Sequence, residues 1–133
     1  MGVRSDLNAN FDFEIVDEFL DHYSLMVDSM EVMILDLSNP TMYYRSVNEL
    51  FRVFHNIKSA SAYLKILSMT RLASLVEDEL ETLRSMDKTI NEETTNWLLA
   101  ISDMFAKWQD DLRLDNKLSK VTYSLLKLPD LEK

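Results

Sequence analysis

One glycine and two prolines in 133 residues (Gly2, Pro40 and Pro129) leave this chain almost nothing with which to build tight turns. Sheets need many reversals, which draw on glycine for positive φ and on proline for a preset φ. A chain this poor in both is confined to long helices with few links. Its length amounts to about one domain. Hydrophobic residues make up 47% and charged residues 28%, the balance of a soluble globular domain with a real core.

Composition also narrows the function. There is no cysteine, so disulfides and thiolate metal sites are excluded. A net charge of −9 repels phosphate backbones, and no nucleic-acid partner is expected. No stretch approaches the roughly 20 apolar residues of a membrane span, and the N-terminus lacks the apolar core of a signal peptide. A cytoplasmic location without a membrane partner is therefore expected. Met1-Gly2 opens a myristoylation pattern, but Ser5 falls one place too early for it.

Apolar periodicity predicts four long helices. In residues 10–37, Phe13, Val16, Phe19, Leu20, Tyr23, Val27, Met30, Ile34 and Leu37 recur at three- and four-residue steps, and Ser38-Asn39-Pro40 ends the run. Ser46-Val47-Asn48-Glu49 reads as a capping box opening a second helix, whose core stripe is Val47, Leu50, Phe54, Ile57, Ser61 and Leu64. After a turn near 66–68, with Ser68 as the expected N-cap, a third helix carries Met69, Leu72, Leu75, Val76, Leu80, Leu83 and Met86. A polar break at 87–89 precedes Asn91, the expected cap of a fourth helix that reaches 114 and buries Trp97, Leu98, Ile101, Phe105, Trp108 and Leu112. The eight methionines read as core filler. The expected fold is all-α: an antiparallel up-down four-helix bundle over 10–115, with 1–9 as a tail and 116–133 as an extension. Within that extension, 119–128 is a candidate short fifth helix.

His55 stands apart from these stripes. At about 100° per residue it lies on a flank of the second helix, with Lys58 one turn on and small side chains at Ser59 and Ala62 around it. A lone flank histidine is most often decoration, and small residues often mark a close helix crossing. Register shifts the balance. With the turn near residue 67, His55 lies about 12 residues before it and Glu77 about 10 after, which is nearly the same height in an antiparallel pair. Glu77 is also on a flank. Its carboxylate would fix the imidazole tautomer and leave the other ring nitrogen the better nucleophile. The rest of the acidic run, Asp78, Glu79 and Glu81, reads as a solvated face. His22, among Asp17, Glu18 and Asp21, reads as a local contact of Glu18 and not as a metal ligand, and no metal site is expected.

The stretch ELFRVFHNIKSASAYL (49–64) resembles the phosphorylation-site helix of histidine phosphotransfer domains, closest to the N-terminal phosphotransfer domain of chemotaxis histidine kinases. The resemblance covers about residues 10–115. It implies that His55 is the phosphoacceptor, that Lys58 steadies the phosphoryl group and that Glu77 orients the imidazole. Phe51, Arg52, Ser59 and Ala62 would form the docking face. The implied partners are a response-regulator receiver domain, a histidine kinase, or both. The chain would be a phosphoryl carrier with no ATP site and no cofactor of its own, its Mg²⁺ supplied by the partner. Two positions depart from the pattern, since Ser59 and Lys65 stand where the family usually has glycine. Two other readings are a kinase-side domain phosphorylated by a separate catalytic domain, and a non-catalytic interaction bundle with a vestigial His55. An acid-base or metal enzyme has no constellation behind it.

Overall fold

Apolar stripes at helical spacing become five α-helices in the computed structural model, which describes residues 1–86 and 90–132. They are α1 (Val3–Asn10), α2 (Phe13–Asp36), α3 (Tyr43–Tyr63), α4 (Leu67–Arg84) and α5 (Glu92–Leu114), followed by a 3-10 turn at Tyr123–Leu126. There is no strand among the described residues. The polar break expected at 87–89 lies outside them.

Helix α3 packs most extensively on α4, and α2 packs on both α5 and α3. Phe54 of α3 sits edge-on to Phe105 of α5 at 5.3 Å, and Phe105 meets Trp108 edge-on at 5.1 Å. Burying side chains of this size contributes about 1.5–3 kcal/mol each, which holds the apolar stripe of α3 inward and its polar face outward. The α3–α4 pair is antiparallel. Ser61 bonds Thr70 through their hydroxyls at 2.8 Å, and the Tyr43 hydroxyl donates to the Leu83 carbonyl at 2.8 Å near the other end.

The turn between these helices closes on a left-handed residue. Lys65 has φ 61°, with the Ile66 amide donating to the Ser61 carbonyl at 2.9 Å and the Lys65 amide to the Ala62 carbonyl at 3.1 Å. These paired bonds are those of a Schellman C-cap, at a position that usually takes glycine. Lys65 therefore stands where the helix ends.

Several expected boundaries move. Residues 1–9, expected as a tail, contain most of α1, with Leu7 buried. Helix α2 starts at Phe13, where Asp12 accepts from the Glu14 amide at 2.9 Å. Helix α3 starts at Tyr43, three residues before the expected capping box. Burial of Tyr43 and Ser46 draws that first turn into the core, so the Ser46 hydroxyl does not cap. Ser68 does not cap α4 either, because the cap position is the buried Ile66. Helix α4 ends at Arg84, short of the half-buried Met86. Asn91 does cap α5, its side-chain oxygen accepting from the Thr94 amide at 2.7 Å. In place of a fifth helix over 119–128 there is only the 3-10 turn. Its segment is tied down by Trp108 Nε1, which donates to the Ser119 carbonyl at 2.8 Å, and Trp97 Nε1, which donates to the Leu125 carbonyl at 2.9 Å.

The single glycine works at the junction of α1 and α5. A Cβ on Gly2 would overlap the main chain of Asp115 and Asn116. The close approach lets the Val3 amide donate to the Asn116 carbonyl at 2.8 Å. The Asp115 carboxylate accepts from the Ser5 amide at 2.9 Å and from the Ser5 hydroxyl. It thus caps a helix whose own cap residue, Gly2, offers no side chain.

Candidate functional site

The hairpin α3–α4 brings three side chains of the polar flank together. His55 Nδ1 lies 3.1 Å from Glu77 Oε2, and Lys58 Nζ donates to Glu77 Oε1 at 3.0 Å. Glu77 is largely enclosed, its side chain 12% exposed, while Lys58 is 32% and His55 53% exposed. A carboxylate can only accept, so Nδ1 carries a proton toward Glu77. In the neutral ring Nε2 then holds the lone pair. Nε2 has no hydrogen-bond partner among the described residues. The arrangement can present one fixed nucleophilic nitrogen to solvent, with a carboxylate behind the ring and an ammonium one helical turn away.

Folding places each of these groups for local reasons. Phe54 and Ile57 are buried, which fixes the rotation of α3 and leaves His55 exposed and Lys58 half-buried. Val76 is buried on α4 and turns its neighbour Glu77 to the flank. The expected pairing of His55 with Glu77 is present. Lys58, expected to face a phosphoryl group, is engaged with the same carboxylate.

The four expected docking residues share this face. Arg52, Ser59 and Ala62 are exposed, and Phe51 is half-buried. Ala60 is half-buried against the core, and Ser61 is fully buried, where its hydroxyl links α3 to Thr70 of α4. The small-residue run thus divides between a close helix crossing and an open surface.

Two contacts escaped the sequence reading. The Phe51 ring stacks on the His55 imidazole, with centroids 6.3 Å apart and planes 10° from parallel. The Arg84 guanidinium lies 4.3 Å over the centre of that Phe51 ring. The register that sets 55 opposite 77 also sets 51 near 84, so the signal was present in the numbering. The other histidine, His22, lies 4.0 Å from Glu18 on the same helix and is well exposed.

Comparison with known proteins finds a relative among chemotaxis proteins. Over 105 residues, 79% of its length, the chain is 28% identical to the chemotaxis protein CheA of Borreliella burgdorferi. The chain spans 12% of that relative's length. No family model matches the chain. No solved structure matches it either. No helix among the described residues is long and apolar enough to cross a membrane.

Proposed function

We propose that this chain is a histidine phosphotransfer protein of two-component signalling, built as an antiparallel up-down four-helix bundle from α2 to α5. The observation that carries the reading is the shared carboxylate of Glu77, which receives both His55 Nδ1 and Lys58 Nζ beside an exposed ring. The similarity to the chemotaxis protein CheA and the HNIK stretch support it.

In this reading the Nε2 lone pair attacks phosphorus in line, the N–P bond forms, and the bond from phosphorus to the departing oxygen breaks. The leaving group is an aspartyl carboxylate of a receiver domain or the ADP of a kinase. The imidazole becomes cationic as Nε2 is substituted. Glu77, facing Nδ1–H, stabilises that charge and keeps the ring from rotating. Lys58 exchanges its bond to Glu77 for the phosphoryl oxygens as their charge arrives. The chain supplies nucleophile, orientation and one cation, while ATP and Mg²⁺ belong to the partner.

Incubation with the small donor phosphoramidate, or with a cognate kinase and ATP, should give acid-labile, base-stable phosphate on His55. His55→Gln should remove it. Equal labelling of that variant would assign the phosphate elsewhere and end the proposal.

A further inference from the structure

The chain's net charge is −9, yet three guanidiniums line one cavity whose Phe51 ring stacks on His55. Arg45, Asn48, Phe51, Arg52 and Arg84 line an open cavity of about 430 Å³. Arg45, Asn48, Arg52, His55, Ser59 and Ala62 follow one another on α3 at alternating steps of three and four, the spacing of a single helical stripe. The stripe is basic on one side of the imidazole and small on the other.

Neutralisation inside the patch is partial. Arg45 Nε bonds Glu49 at 3.2 Å, and Arg84 bonds Glu81 at 3.1 Å. Each guanidinium has five N–H donors, so one such bond leaves donors free. Arg52 is exposed and has no carboxylate partner among the described residues. The Arg84 guanidinium carbon sits 4.3 Å over the centre of the Phe51 ring, a cation–π contact that leaves its N–H donors available. Phe51 is in turn stacked on His55. Arg84, Phe51 and His55 touch in that order, which links the cavity to the imidazole.

We infer that the Arg45–Arg52–Arg84 patch is the docking subsite for a carboxylate-rich face of the partner protein that closes over His55. The assignment deepens the phosphocarrier reading, from which its place beside His55 takes its meaning. Charge complementarity selects an acidic partner. Most of this surface repels such a partner, and the patch attracts it, so encounter is oriented toward His55.

Hexaglutamate is the probe, titrated into the ¹⁵N-labelled full chain at low ionic strength. Shifts should concentrate at 45–55 and at the Arg84 side chain, and they should vanish in about 0.5 M salt. Arg52→Ala, at a solvent-facing position, should weaken binding about 10-fold with melting unchanged. His55→Gln should bind hexaglutamate like the wild type, so a failure of phosphorylation leaves this result standing. Absent shifts, shifts on another face, or unweakened binding by Arg52→Ala would overturn the assignment. Inorganic pyrophosphate displacing hexaglutamate at equal charge concentration would overturn it too, marking a phosphate subsite instead of a protein contact.

Discussion

Glu77 divides its two oxygens between an imidazole and an ammonium, and the variants at this residue and at Lys58 should therefore differ in kind. Lys58→Ala removes one electrostatic stabiliser and should slow phosphotransfer about 10- to 100-fold. Glu77→Ala releases the ring and should slow transfer about 100-fold. It should also change the imidazole ¹⁵N signature from a single Nδ1–H tautomer to a mixture, which Lys58→Ala should not do. Because the pair is partly solvated, either change should shift stability by less than about 1 kcal/mol in denaturant melts. Wild-type transfer rates in both variants would sever the triad from the chemistry. The His55–Glu77 pairing was legible in the sequence because it depended only on counting residues from the turn. The Lys58 bond was not, because a long flexible side chain reaches several partners from one flank.

At the scale of the element, helix interiors and both ends of α5 were readable, whereas the starts of α3 and α4 were not. The buried positions Val47, Leu50, Phe54 and Ile57 follow from period alone. Ser46 and Ser68 carry the right chemistry for caps, but tertiary burial of Tyr43 and Ile66 decides where those helices start. Lys65 shows the converse case, since it stands in a left-handed cap position that favours glycine and the helix end still forms. A non-glycine residue in the left-handed region costs about 1–2 kcal/mol, offset in part by the greater unfolded-chain entropy of glycine. Lys65→Gly should therefore stabilise the protein by about 0.5–1 kcal/mol, read as a higher urea midpoint at unchanged m-value. A lower midpoint would mean that the lysine side chain makes a compensating contact.

For the whole molecule, the clamp between α1 and α5 was invisible beforehand because nothing local in residues 1–9 announces a partner so far along the chain. It also carries a pH signature. Bonds from the Ser5 hydroxyl and amide, aided by the Gly2 amide and the N-terminal charge, hold the Asp115 carboxyl below its ordinary range. A carboxyl lowered by folding stabilises the docked state above its unfolded value and loses that effect as pH falls through its folded value. Amide peaks of α1 should therefore shift toward an undocked state on acidification below the usual carboxylate range, ahead of α3 and α4. Asp115→Asn should abolish this acid step, and a step that persists would belong to another carboxylate. The two assemblies also differ in the length of chain they close. His55 and Glu77 are 22 residues apart in the chain, whereas Ser5 and Asp115 are 110 apart. Closing the longer loop costs roughly 1.4 kcal/mol more chain entropy. Local contacts form before distant ones. A newly made chain should thus bring its histidine and carboxylate together within one hairpin before it fastens α1 to α5.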